Sequence, residues 1–402
     1  MTNVAREEVD RVFAGETNGA WVPPPTAKPT QDPLASATAS PSPAPSSTVP
    51  RVNILLIGVD SGVGRNTANT DTMIVASLDL VTETVSIISI PRDMVNVPLP
   101  DGSAYAPKLN GLDSEARRRP SGFPGSDGSG HDVLMAAVGT LLKLKIDYYA
   151  AVNLPGFVAV VDTLGGVDVT VTRNLCDPGY TEYGFENGFS IKAGLRHLDG
   201  QEALAYARIR KAAGESDFTR AARQQEVISG LRDAIVKRGF LSDPVALLQA
   251  LGRSISTNVP REILPDLADV MARVDRADTY RAVIRAPLVK PGFDARGSIQ
   301  VPDIQGIAFL AARLFPEPGT LPDAAFAAPP PATTGSGSGT GNCVPAVRPA
   351  PSPTPAPGPT ATTGPGPTVT TGPGPSASPE PTAEPSPSPA PESPEPSLSA
   401  AP

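Results

Sequence analysis

Proline is spread too unevenly along this chain for all of it to fold. Of 49 prolines in 402 residues, nine lie between Trp21 and Pro50 and 26 between Pro316 and Pro402, leaving 14 for residues 51–315. The proline-dense segments are otherwise mostly Ser, Thr, Ala and Gly. Such chain buries too little apolar surface to offset the entropy lost on ordering. Residues 1–50 and 316–402 therefore read as disordered arms, and 51–315 as one domain with room for a large core. In the C-terminal arm Thr-Thr-Gly-Pro-Gly-Pro occurs at 362–367 and again at 370–375, as in a stiff, hydrated spacer.

Charge divides the same way. The arms hold five acids against three bases and six acids against one, so only −1 of the formal −8 belongs to 51–315. A basic nucleic-acid surface is not expected, and any anion must be held by a local cluster of arginines. Cys176 and Cys343 are too few for a zinc site and lack Cys-x-x-Cys spacing. They are either two unrelated thiols or, in an exported protein, a disulfide. No transmembrane anchor or signal peptide is visible, because no apolar run reaches ~18–20 residues and the start lacks an apolar h-region.

Within 51–315, the apolar runs 52–59, 72–78 and 85–90 predict three strands, the first buried on both faces. Helical spacing covers 132–144. The segments 148–152, 155–164 and 167–171 predict a strand–helix–strand unit, and 200–207 and 218–237 predict two further helices. Strands follow at 280–285 and 298–302. The interleaving predicts an α/β/α sandwich with a mixed central sheet. The 110–131 stretch, with Arg117-Arg-Arg119 and many glycines, reads as a solvated insertion.

The sequence lacks Gly-x-Ser-x-Gly and a Walker A motif, and its two histidines, His131 and His197, read as loop residues. What remains is a set of acids and arginines at predicted strand ends. Asp60 closes the first strand and Asp71 opens the second, so two carboxylates could meet on one rim of the sheet. That donor set suits Mg²⁺ or Mn²⁺, completed by water and phosphate oxygens. Arg92 and Asp93 follow the third strand. An extended 206–210 segment would put Tyr206, Arg208 and Arg210 on one face, where two like charges call for an anion. Arg220 and Gln224 share a face of the next helix, with Arg220 close enough to its N-terminus to oppose the helix dipole. A pyrophosphate between these guanidinium groups would relieve both conflicts.

Taken in order, Asn53-Ile-Leu-Leu-Ile-Gly-Val-Asp60, Thr70-Asp-Thr-Met73, Ile88-Ser-Ile-Pro-Arg-Asp93, Lys108-Leu-Asn110 and Ile146-Asp-Tyr-Tyr149 resemble the LytR-CpsA-Psr family of bacterial cell-wall proteins. Leu164-Gly-Gly-Val-Asp168, Leu198-Asp-Gly200, Ala203-Leu-Ala-Tyr-Ala-Arg-Ile-Arg210 and Asp217-Phe-Thr-Arg220, with Arg223-Gln-Gln225, extend the match over about 52–235. The resemblance implies an extracytoplasmic, monomeric phosphotransferase at the membrane or wall. It would move a glycopolymer from a polyprenyl pyrophosphate, the membrane lipid carrier, onto peptidoglycan, with the lipid tail in an apolar tunnel. It further implies that Asp60 and Asp71 hold the metal. Arg92, Arg208, Arg210 and Arg220 would clamp the pyrophosphate, with Gln224 beside them and Lys108 nearby. Asp71 or Asp93 would take the acceptor proton. The rival readings are a polyprenyl-pyrophosphate phosphatase and a non-catalytic lipid-binding or regulatory protein. One departure stands at Asn69, where the family usually has Arg; Arg65 is a candidate substitute. Another is the family's usual N-terminal membrane anchor, which is not visible here.

Overall fold

The structure is a computed structural model that describes residues 50–61, 68–123, 129–239, 255–275 and 278–327. Most of both proline-rich arms, together with Arg65 and Cys343, lies outside the described residues. The chain enters through β1 (Arg51–Asp60), β2 (Asn69–Asp79) and β3 (Thr84–Ser89), an antiparallel meander. Short strands β4 (Val97–Pro98) and β5 (Ala104–Tyr105) lead to helices α1 (Leu112–Arg118) and α2 (Gly130–Leu142). Next come β6 (Tyr148–Asn153), α3 (Leu154–Thr163), β7 (Val167–Val171), β8 (Leu175–Asp177), β9 (Phe189–Ile191) and β10 (Gly194–Leu198). Helices α4 (Gly200–Arg208) and α5 (Asp217–Lys237) follow. The remainder is β11 (Ile255–Thr257), α6 (Leu264–Arg273), β12 (Thr279–Val283), the hairpin β13 (Val289–Asp294) and β14 (Gly297–Pro302), and α7 (Ile304–Leu314).

The central sheet runs β11-β6-β1-β2-β3-β12. It is mixed: β6 lies parallel to β1 and β12 parallel to β3, while the other neighbours are antiparallel. Strand alternation divides its side chains between two layers. Leu55, Ile57, Met73, Val75, Ile88 and Tyr149 pack with α2 and α7 in the larger core. Val52, Ile74, Leu78, Val85 and Ile87 face the other way, toward α5 and α6. This is the expected α/β/α sandwich. The 52–59 run is apolar on both sides because one face packs on the core and the other, through Ile54 and Leu56, lines a cavity.

Four expectations are corrected. Strand β7 does not join the sheet beside β6; it pairs with β10 in a separate ribbon. Gly165 and Gly166, both at positive φ (69° and 97°), turn the chain away after α3. The 110–131 stretch is not a solvated insertion, since α1 lies in it with Leu112, Asp113 and Ala116 buried. His131 sits in the first turn of α2 and His197 on β10, so neither is a loop residue. The ordered structure also continues past 315. The Arg51 guanidinium donates to the carbonyl of Pro316, and the Gly319 N–H donates to Asp79 at 3.0 Å.

Candidate active site

The site is one cavity of about 1130 Å³, lined at its mouth by charge and within by hydrocarbon. Its walls are the cavity face of the sheet (Ile54, Ala76, Val85) and the facing sides of α5 and α6 (Ile228, Leu267). Asp60, Asp71, Arg92, Asp93, Lys108, Arg208, Arg210, Arg220 and Gln224 all line it as well. The acids, the lysine, the four arginines and the glutamine singled out in the sequence are therefore brought together.

The elements explain how. In the β1–β2 ladder Gly58 pairs with Thr72 but Val59 pairs with Thr70, so Asp71 is the extra residue of a β-bulge. A bulge re-aims side chains at a strand end, and here it accompanies a carboxylate set at the cavity mouth. Gly58 is needed at this point, because a Cβ there would lie 2.8 Å from the Thr72 Cβ. Asp71 accepts from Arg92 Nη1 at 2.5 Å and from Asn110 Nδ2 at 3.2 Å. Asp93 takes Lys108 Nζ at 3.0 Å and lies 3.6 Å from Arg92 Nε. Burial alone would weaken proton binding by Arg92, but Asp71, Asp93 and Asp217 reverse the effect and raise its pKa.

The 206–210 segment is not extended throughout. An Asp199–Glu202 capping box starts α4, which runs to Arg208 before Ile209 leaves the helical region. Tyr206 is accordingly a buried helix residue and does not share a strand face with the arginines. Arg208 bonds the Glu182 carboxylate and lies 3.5 Å from Asp60 Oδ1. Helix α5 opens with a second box, Ser216 and Thr219, and carries Arg220 one turn in. The Arg220 side chain is 9% exposed, with Asp217 Oδ1 at 3.0 Å. Burial, then the like charges of Arg92 and Arg210, outweighs Asp217 and pushes its pKa down to about 10. Gln224 Nε2 donates to the Ala207 carbonyl at 3.4 Å.

Among the described residues, no three His, Cys, Asp or Glu cluster as an all-protein metal cage. The donor chemistry does fit Mg²⁺ in its usual mode, one or two carboxylates with phosphate oxygens and water, because Asp60 and Asp71 line the same mouth.

The model of the LytR_cpsA_psr family matches residues 26–282. The chain belongs to the LytR_cpsA_psr family. Among its relatives, a "Polyisoprenyl-teichoic acid--peptidoglycan teichoic acid transferase TagU" from Halalkalibacterium halodurans is 30% identical over 209 residues, 52% of this chain and 60% of the relative. "Biofilm regulatory protein A" of Streptococcus mutans is 29% identical over 216 residues, 52% of this chain and 50% of the relative. The chain thus spans about half to three-fifths of the length of these curated relatives. The crystal structure of B. subtilis TagV shares the fold, with a TM-score of 0.52 and 23% identity over 66% of this chain and 96% of that one.

Against the usual family pattern, Asn69 stands on β2 and lines the cavity, while Arg65 lies outside the described residues. Sequence reasoning missed Glu182, which meets Arg208 at the mouth, and Asn110, which orients Asp71. Glu182 lies in a Gly- and Tyr-rich loop without periodicity, so nothing local marked it. Asn110 belongs to the Lys108-Leu-Asn110 motif, and its side-chain amide is the signal that pointed to a partner for an acid. Cys176 is disulfide-bonded, which removes the reading of two unrelated thiols; Cys343 lies outside the described residues.

Proposed function

We propose that this protein is a phosphotransferase that moves a glycopolymer from a polyprenyl pyrophosphate carrier onto peptidoglycan. The observation that carries this reading is the joining of an apolar cavity to a mouth holding Arg92, Arg208, Arg210 and Arg220. An amphiphile with a long hydrocarbon tail and a dianionic head matches both parts. The name of the TagU relative, a transferase of teichoic acid from a polyisoprenyl carrier to peptidoglycan, supports the same substrate class. A disulfide at Cys176 suits an oxidising, extracytoplasmic compartment. No helix among the described residues is long and apolar enough to cross a membrane.

In this reaction an acceptor sugar hydroxyl attacks the phosphorus that bears the glycan. The bond from that phosphorus to the oxygen of the lipid phosphate breaks, and the lipid phosphate leaves with its electron pair. The arginines bind the pyrophosphate and stabilise the charge that develops on the leaving group. Asp60 and Asp71 would hold Mg²⁺, which adds charge neutralisation when bound. Asp71, bonded to Arg92 and Asn110, and Asp93, between Lys108 and Arg92, are the two carboxylates placed to receive the hydroxyl proton.

The test incubates the full chain with a lipid-linked sugar pyrophosphate, Mg²⁺ and a peptidoglycan oligomer. A phosphodiester-linked product that vanishes with EDTA or with Arg208→Ala is the expected result. Free glycan phosphate without a linked product would establish hydrolysis instead. Lipid binding with no turnover would leave a binding or regulatory protein.

A further inference from the structure

The segment that carries two of the clamp arginines has no regular secondary structure of its own after Arg208, and yet it is held on both sides. Where α4 ends, the carbonyls of its last turn lose their helical partners. Side chains of α5 replace them. Arg223 Nη1 donates to the Tyr206 carbonyl, Arg223 Nη2 donates to the Ile209 carbonyl at 2.7 Å, and Gln224 reaches the carbonyl of Ala207. Arg223 is itself fixed by Glu215 Oε2 at 2.7 Å, with both side chains almost fully buried (8% and 2% exposed). The N–H groups on the other side of the segment go to Asp177, at the end of β8. Its Oδ2 accepts from Arg210 N at 3.1 Å and Lys211 N at 2.9 Å, and its Oδ1 accepts from Gly179 N at 3.0 Å.

We propose that Asp177 is a positioning residue for pyrophosphate binding, its buried carboxylate fixing the Arg210–Lys211 backbone against the carbonyls that Arg223 holds. This rests on the phosphotransferase reading above. Asp177 is 3% exposed and carries three backbone bonds, two of them to consecutive residues of one segment. A buried carboxylate in contact with three N–H groups matches the demand of a chain turning sharply out of a helix. Arg208 ends the helix before this anchor and Arg210 is the anchored residue itself. The spacing of the two guanidinium groups across the mouth is therefore set by backbone bonds to Asp177 on one side and to α5 side chains on the other.

The substitution Asp177→Asn keeps size and shape but turns one acceptor oxygen into an NH₂ group, which faces an N–H. Two measurements on the full chain decide the matter. The first is amide hydrogen exchange: the 209–213 stretch is expected to exchange faster in the variant while the middle of α5 is unchanged. The second is binding of inorganic pyrophosphate with Mg²⁺, expected to weaken by about tenfold or more, since a small misplacement of binding groups is costly. Asp177→Glu, which restores the charge, is expected to recover part of the affinity. Unchanged exchange at 209–213 would overturn the anchor. Faster exchange with unaltered pyrophosphate affinity would overturn its role in binding. If wild-type protein binds no pyrophosphate, the phosphotransferase reading falls and the exchange result still decides whether Asp177 anchors the segment.

Discussion

Arg220 is charged, buried and short of compensation, and that combination is informative about what the site binds. Its folded pKa of about 10 lies below the ordinary arginine value, so between the two the unfolded chain holds more protons and stability rises with pH. At neutral pH, below both values, the ion therefore opposes folding. Asp217 offsets part of this, and a bound polyanion would offset the rest. Replacement by an apolar side chain of similar length removes the cost. Arg220→Met is expected to unfold at the wild-type temperature or above it. Pyrophosphate with Mg²⁺ is expected to raise the unfolding temperature of the wild type and not that of the variant. Differential scanning calorimetry with and without the ligand checks both halves. A large fall in unfolding temperature would mean that Arg220 is structural.

At the scale of elements, much of the fold is legible in the sequence for physical reasons that can be named. The first three strands are apolar runs bounded by Gly, Thr-Glu and Pro. The α5 pattern begins beside a capping Ser216, and α4 begins after the capping Asp199. The 206–210 segment misleads because Tyr206, Arg208 and Arg210 fit a two-residue period as well as they fit the end of a helix. Helix α1 is illegible because it has only seven residues and is followed by Arg119, Pro120 and glycines. What holds it is tertiary. The Asp113 carboxylate meets His131 Nδ1 at 2.8 Å and Arg117 Nε at 3.1 Å, across a contact that Gly130 permits, since a Cβ there would lie 2.4 Å from the Asp113 carbonyl oxygen. Burial would raise the Asp113 pKa, but His131 and Arg117 bring it below the ordinary carboxylate range. Its contribution to stability is then present above the unfolded value of 3.8 and lost as pH falls through the folded one. Asp113→Ala leaves His131 without its partner and is expected to cost about 3 kcal/mol. Trypsin should then cut after Arg117 or Arg118 well before it cuts elsewhere in the domain; the Arg119–Pro120 bond resists it. If the digestion pattern and rate match the wild type, the contact does not hold α1.

The whole molecule divides labour between the two faces of one sheet. One face, with Leu55, Val75 and Ile88, packs solidly on α2 and α7; the other leaves a cavity under α5 and α6 whose mouth holds the charged cluster. The strand period is readable from the residues themselves, whereas the cavity is expected only through the family resemblance, because apolar residues that line a cavity and those that pack a core are the same kinds of residue. Ala76 separates the two functions by experiment. It lies on the cavity face of β2 between Ile74 and Leu78, away from the charged cluster. A larger apolar side chain there fills space that the structure keeps open, so Ala76→Phe is expected to leave stability within about 1 kcal/mol of wild type. Affinity for a long-chain polyprenyl phosphate should fall by about tenfold, about 1.4 kcal/mol, and the negative heat-capacity change on binding should shrink as less tail is buried. Affinity for inorganic pyrophosphate should not change, because Arg92, Arg208 and Arg220 are untouched. Calorimetric titration of both ligands reads the two outcomes. Equal loss of both would mean that the substitution deforms the sheet, and loss of neither would mean that the lipid tail lies outside this cavity.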